Sequence, residues 1–456
     1  MSAGDPRFAL ALVACAAVSS LLGANDVVTV AQLDGSRSPR SPRTVDVSAD
    51  GRFVVFQSLA RLVSADTNNR ADVYVLDRST GAVSLESSAV EGFEHVHPRT
   101  SGDGRYLVFE SFTDEHGGGE IVLRDRVLGT SRLLTDGKRV RDEPQSWSRS
   151  PAISVDGRVV AFSSVAVHLT NDGDVNGKQE DVYTVTLPGG AISRASVSST
   201  GMQMAQGNSI LPSLSSDGRW LAFASTAPLV DGVARDKPQR HVYLRDLRTG
   251  KTLRVTRTAN GGVPNGNSSL PSISGDGRYI AFVSEASNIL NDDQNQGTDI
   301  LLYDRETDAI SWVSRGADGS SANGESTNPV ISADGRFVAF QSDASNLVCA
   351  KRCPEHDQDI NLLWDIFLFD RTSGRIARVS EDALGGWMEV SSGPAVDGAG
   401  SVVAFSSRHP VDSDDRRDDF DLFVRAAPSP ARFLPPENLM SGRQPRTHAG
   451  AASGAR

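Results

Sequence analysis

Short apolar runs separated by polar turns fill the chain from about residue 26 to residue 426, and none of these runs has helical spacing. Val73-Tyr74-Val75-Leu76, Val182-Tyr183-Thr184-Val185, Ile300-Leu301-Leu302-Tyr303 and Ile366-Phe367-Leu368-Phe369 are β-branched and aromatic, which predicts strands. The pattern also recurs. Phe-x-Ser ends an apolar run at Phe56, Phe109, Phe162, Phe223, Phe282, Phe340 and Phe405, leaving gaps of 53, 53, 61, 59, 58 and 65 residues. Such regularity marks an array of one supersecondary unit.

Each unit reads as a short strand, an Asp-Gly turn, a strand ending in Phe-x-Ser, a longer polar loop, a third strand, a tight turn and a fourth strand. Asp77-Arg78-Ser79-Thr80-Gly81 illustrates the second turn, with relatives at Asp125–Gly129, Asp246–Gly250 and Asp370–Gly374. Four strands per unit predict a blade, and seven units predict an all-β, seven-bladed β-propeller over residues 25–426; six blades is the alternative count. The seventh unit, with Ala399-Gly400 in place of Asp-Gly, supplies three strands before Ala427-Pro428. The strand-like stretch 26–31 is expected to supply the missing one, since an open edge invites aggregation.

Recurrence also assigns roles. Asp50, Asp103, Asp156, Asp217, Asp276 and Asp334 recur in every unit but the last and read as turn formers, and the seven Phe-x-Ser serines lack the single special environment that a nucleophile needs. No Gly-x-Ser-x-Gly, His-Glu-x-x-His or phosphate-loop motif is present, so no catalytic residue is named. The net charge of −11 argues against nucleic acid or an anionic membrane as partner, and a monomer is expected.

Residues 1–24 have a signal-peptide layout, a polar start followed by the apolar run 8–24, which predicts export to the periplasm, cell envelope or medium. The alternative is a lipoprotein signal ending before Cys15, with lipidation of that cysteine as the only membrane link. Cys349 and Cys353 are then left as a loop disulfide in an oxidising compartment, or with His356 as metal ligands. Residues 427–456, rich in Pro, Ala, Gly and Arg, read as a disordered tail.

Both tight turns of a blade fall on one face of the ring, so the long loops and the blade connections share the other. Those loops carry alternating Asp and Asn. Asp172, Asp174 and Asn176 match the first half of a calcium loop, and Asn291, Asp293, Asn295 and Asp299 fit oxygen ligands at positions 1, 3, 5 and 9; Ser64, Asp66, Asn68 and Asp72 fit it loosely. Calcium is the one cofactor this spacing allows, set against ordinary side-chain turns, and none is required. His95 and His97 with Glu91 or Glu94 form a second candidate metal set, against a solvated connection.

Ser-x-Asp-Gly followed by an apolar strand ending in Phe-x-Ser resembles the TolB-like propeller family, whose repeats are WD-repeat-like, although the family's proline before Asp is absent here. The resemblance covers about 380 residues and implies a propeller of the cell envelope; no α/β or peptidase domain accompanies it. The expected function is an exported non-catalytic scaffold binding a protein or peptide partner. The alternative is a glycan-active lyase or hydrolase, or a carbohydrate-binding propeller, using carboxylates of the central funnel or aromatics such as Trp147 and Trp387.

Overall fold

The computed structural model describes residues 44–88, 92–113, 119–135, 147–230, 239–290, 292–349, 361–381, 388–408 and 420–433. Among them are six four-stranded antiparallel sheets and one three-stranded sheet, each with its strands in chain order. They are the blades of a seven-bladed propeller. Blades 1 to 7 span residues 45–85, 93–133, 148–194, 209–254, 268–312, 326–378 and 391–426.

The inner strands of each blade are buried on both faces, so each blade packs its core against both neighbours. The Phe-x-Ser phenylalanines are all buried, and five stack on an aromatic of the third strand, from Phe405 on Phe423 at 5.6 Å to Phe162 on Tyr183 and Phe223 on Tyr243 at 5.9 Å. The serines are architectural. Ser164 Oγ accepts from Ser148 Oγ (3.0 Å) and from the Ala166 N–H (3.1 Å), and donates to the Trp147 carbonyl (2.9 Å).

The Ser-x-Asp-Gly turn closes on itself. Ser48 Oγ donates to Asp50 Oδ1 (2.6 Å) and accepts from the Phe53 N–H (2.9 Å), while Asp50 Oδ1 also accepts from the Arg52 N–H (3.0 Å). The same Ser–Asp bond is made in blades 2 to 6. In blade 7, Asp397 replaces the serine and accepts from the N–H groups of Ser401 (2.6 Å) and Val402 (3.1 Å).

These turns also join the blades. The N–H of Ala49 bonds the carbonyl of Gly102 (2.9 Å), Gly102 that of Val155 (2.8 Å), Asp156 that of Ser216 (3.0 Å), Ser216 that of Gly275 (2.9 Å), Gly275 that of Ala333 (2.8 Å), Asp334 that of Gly398 (3.1 Å) and Gly398 that of Ala49 (3.0 Å). The circuit is complete, with the last bond tying blade 7 to blade 1. Around it, Val54, Phe56, Tyr74 and Leu76 of blade 1 share a core with Ala404, Leu422 and Val424 of blade 7. The ring is therefore closed by direct packing of its first and last blades. Residues 26–31, expected to complete blade 7, lie outside the described residues, as do residues 1–24 with Cys15.

The chain after blade 7 packs back onto blade 6. Residues 427–433 begin the stretch expected to be disordered, yet Pro430–Phe433 forms a 3-10 turn that buries Phe433 against Phe337 (6.1 Å), with Arg432 bonded to Glu381 (2.6 Å). The packed unit thus extends past residue 426.

The turn glycine is held by both its backbone and its neighbour. Gly277 has φ +68°, and a Cβ there would lie 2.2 Å from Trp220 of the preceding blade. Gly374, in a second-type turn, has the same φ of +68° with nothing within 4 Å. Gly374→Ala is expected to lower stability by about 1 kcal/mol through backbone strain alone, and Gly277→Ala by about 3 kcal/mol because the blades must separate. Urea unfolding of the two variants checks this; equal losses would show that the glycine does not set the blade spacing.

Candidate functional site

The first strand of every blade lines a central cavity of about 500 Å³. A recurrent proline, Pro98, Pro151, Pro212, Pro271, Pro329 or Pro394, follows a residue of positive φ in blades 2 to 7: His97, Ser150, Leu211, Leu270, Asn328 and Gly393. At that point the pairing slips by a bulge. The bulge presents one residue to the cavity six positions before the turn Asp and a second residue four positions before it.

Two tiers of side chains follow. The upper tier, nearer the long-loop face, is Thr44, His97, Ser150, Leu211, Leu270, Asn328 and Gly393; the lower is Asp46, Arg99, Ala152, Ser213, Ser272, Val330 and Ala395. Below them the circuit of backbone bonds from Ala49 to Gly398 forms the floor. Seven near-identical blades thus enclose an uneven cavity. The ionisable groups lie in the adjacent blades 7, 1 and 2, as Asp397, Asp46, His97 and Arg99, and the opposite wall carries Leu211, Leu270 and Val330.

Each ionisable group has a partner. Asp46 Oδ2 accepts from the Thr100 N–H (2.8 Å). Asp46 is half-buried in the cavity wall, and desolvation there raises its pKa; Arg99 beside it opposes the shift. His97 Nδ1 lies 3.0 Å from Glu110 Oε1, which also accepts from the Ser150 N–H (2.7 Å), so Glu110 holds the bulge of blade 3 and the imidazole of blade 2 together. Gln57 of blade 1 holds the bulge of blade 2 in the same way, accepting from the His97 N–H (2.8 Å).

The His95-Val96-His97 pair is divided by this geometry. His95 is buried edge-on against Phe109 (5.5 Å) with Nε2 3.1 Å from the Ser88 carbonyl, whereas His97 faces the cavity. Glu94 pairs with Arg70 (3.4 Å), and Glu91 lies outside the described residues. Among the described residues, no group of three or more His, Cys, Asp or Glu is placed to hold a metal ion, and no helix is long and apolar enough to cross a membrane.

The loop residues read as calcium ligands behave differently in different blades. In blade 3, Asp181 at the start of the third strand faces Asp174, and the pair is bridged by the Gln203 amide, 2.8 Å from Asp174 Oδ1 and 2.6 Å from Asp181 Oδ2. Arg194 adds a positive charge 3.3 Å from Asp181 and 3.4 Å from Asp172, and Asp174 Oδ1 caps the Asn176 N–H (3.1 Å). In blade 5, Asp299 is 2% exposed, and burial first and Asp293 second push its carboxyl up to about 7. Asn291 lies outside the described residues. Cys349 is disulfide-bonded, and Cys353 and His356 lie outside the described residues.

Asp46 and Arg99 were not singled out from sequence, yet their signal is present. Aligned on Ser-x-Asp-Gly, the position four before Asp holds Ala, Ser or Val in the other copies and a charge only in these two. Trp147 stacks under Arg149 (4.4 Å), and Trp387 lies outside the described residues.

No protein-family model matches the chain, and neither does any curated protein sequence. Solved structures do. An oligogalacturonate lyase of Vibrio parahaemolyticus is 12% identical over 89% of this chain and 97% of its own, with a TM-score of 0.52. The β-propeller domain of the Trilobed protease of Pyrococcus furiosus is 13% identical over 84% and 95%, with a TM-score of 0.50. TolB of Acinetobacter baumannii, at 14% identity over 83% and 82%, has a TM-score of 0.38. The first two support the propeller fold; the third is too distant to add to the repeat resemblance.

Two buried histidines set an acid response. Burial lowers His95 and His241 to about 4, so each stays neutral in the fold while the unfolded chain takes up a proton near its ordinary value of about 6.5. Their contribution is complete above that value and is lost as pH falls toward 4. The raised carboxyls of Asp72 and Asp181, near 6, act in the opposite sense, losing stability as pH rises through the same range. His95→Phe is expected to cut the stability lost between pH 6.5 and 4.5 by on the order of 2 kcal/mol, read from urea midpoints. An unchanged pH profile would contradict the assignment.

Proposed function

We propose that the chain is an exported, non-catalytic platform that receives a protein or peptide partner on its long-loop face, with an extended segment of that partner entering the central cavity. The division of the cavity carries this reading: ionisable groups on one wall, at Asp397, Asp46, His97 and Arg99, and aliphatic side chains on the other, at Leu211, Leu270 and Val330. A volume of about 500 Å³ suits a few side chains rather than a folded domain. An acidic side chain or terminal carboxylate of the segment would meet Arg99, and apolar neighbours would lie against Leu211 and Leu270. Export rests on the apolar run 8–24 and is independent of the cavity.

A second reading has its own observation. Asp46, His97 and Arg99 are inward-facing groups that break the repeat, which is what a glycan-active lyase or hydrolase in the funnel would require. The fold shared with oligogalacturonate lyases makes acidic oligosaccharides the glycans to test. Calorimetric titration of extended peptides, with and without acidic groups, and of oligogalacturonates separates the two. Acidic peptides are expected to bind, and Arg99→Gln to weaken them by about tenfold or more, a loss of about 1.4 kcal/mol, at unchanged melting temperature. Unsaturated uronide released from an oligogalacturonate, and abolished in His97→Ala, would contradict the non-catalytic reading and support the second.

A further inference from the structure

Blade 5 departs from blades 1 and 3 at one loop, and the departure leaves two buried carboxylate oxygens without partners, Asp293 Oδ1 and Asp299 Oδ2, where blade 1 leaves one, Asp72 Oδ2. In four blades, a hydroxyl just after the fourth strand reaches an aspartate that opens the third strand: Ser87 to Asp72, Ser196 to Asp181, Ser314 to Asp299, Ser380 to Asp365. That bond takes one carboxylate oxygen. Three devices satisfy further loop acceptors in blades 3 and 1, although Asp72 Oδ2 of blade 1 stays unpartnered. In blade 3 they are the Arg194 guanidinium, paired in register with Tyr183, and the Gln203 amide that bridges Asp174 and Asp181. In blade 1 it is the Tyr74 hydroxyl, which donates to Asp66 Oδ2 (2.5 Å).

Blade 5 lacks all three. Trp312 takes the register position of Arg194, paired with Leu301, which in turn replaces the tyrosine. Ser321 stands where Gln203 would, and still serves the backbone by accepting from the Gln294 N–H (3.0 Å), as Gln203 does for Val175 (2.9 Å). Trp312 and Arg315 are engaged by Asp292 instead. Asp299, only 2% exposed, therefore keeps Oδ2 unpartnered, and so do the buried Oδ1 of Asp293 and the side-chain amide nitrogen of Asn295.

From this arrangement we infer that Asp293, Asn295 and Asp299 bind a divalent cation, calcium by preference, in the long loop of blade 5. Two carboxylate oxygens converge where blade 3 places a guanidinium and an amide, and the Asn295 carboxamide beside Asp299 would add its oxygen by turning away from the Gly297 N–H, from which it accepts at 3.3 Å. The missing positive charge is what a hard cation supplies. An all-oxygen set from a loop, completed by main-chain carbonyls and water, suits the variable coordination of calcium better than the strict octahedron of magnesium. Blade 3 is the internal control, because Arg194 already neutralises its acidic residues.

The test uses the full chain, stripped with chelator and then melted in chelator, in calcium chloride or in magnesium chloride. Calcium is expected to raise the melting temperature by about 2–5 °C, with a smaller effect of magnesium, because a cation that binds only the folded state stabilises it by mass action. Asp293→Asn and Asp299→Asn should each abolish the rise, whereas Asp174→Asn should retain it. In chelator, Asp299→Asn should melt no lower than wild type, since it removes a buried like charge, which distinguishes loss of the site from loss of the fold. As a second readout, terbium luminescence excited through Trp312 should appear in wild type, be displaced by calcium, and vanish in Trp312→Phe while the calcium-induced rise persists. No calcium effect in wild type, or an effect that survives the Asp293→Asn, Asp299→Asn pair, would overturn the proposal.

Discussion

Everything in this molecule depends on seven blades meeting at one circumference. The seven inter-blade backbone bonds at the Ser-x-Asp-Gly turns are each worth on the order of 1 kcal/mol net, so their sum is not what makes them decisive. A closed ring of seven blades has seven interfaces where an open array would have six. The bond from Gly398 to Ala49, and the shared core of Val54, Phe56, Ala404 and Leu422 around it, supply the extra one. That interface joins chain segments some 350 residues apart, yet the entropy of closing so long a loop grows only logarithmically with its length.

The constraint explains which positions are repeated and which vary. The turn serine, the glycine of positive φ and the Phe-x-Ser pair all enter contacts that every blade must make. Positions four and six before the turn Asp make no such contact; they point into the cavity after the proline bulge. Chemistry is thus carried where the ring tolerates difference. The cavity gathers its ionisable groups at blades 7, 1 and 2, and the long-loop face carries the blade 5 loop where Leu301, Trp312 and Ser321 replace the groups that engage carboxylates in blades 1 and 3.

Most of the fold was legible because a strand repeat with a strict turn signal leaves little freedom. Strand positions, blade number and the structural roles of Asp50, Ser164 and their equivalents follow from recurrence alone, and the diverged Ala399-Gly400 turn keeps the one residue, glycine, that its contact with Phe337 requires. The cavity was harder to read. Asp46 and Arg99 look ordinary until the copies are aligned and the bulge at Pro98 is recognised, since a regular strand would have sent alternate residues elsewhere. His95 and His97 illustrate the same point: as an extended pair they would share a side, but a positive φ at His97 separates them. The loop carboxylates carry one sequence pattern in blades 3 and 5, and only distant partners, Arg194 and Gln203 against Trp312 and Ser321, distinguish them. The packing of Phe433 was likewise hidden, because one aromatic in a Pro- and Arg-rich stretch gives no periodic signal.

Residue-resolved hydrogen exchange under native conditions tests the closed circuit most directly. If the ring is one cooperative unit, the amides of Ala49, Gly102, Asp156, Ser216, Gly275, Asp334 and Gly398 exchange only by global opening and share one protection factor. Faster exchange at Ala49, Asp334 and Gly398 than at Gly102, Ser216 and Gly275 would show that the junction of blades 6, 7 and 1 opens on its own. The ring would then be a stack of blades with a weak seam, which contradicts the account.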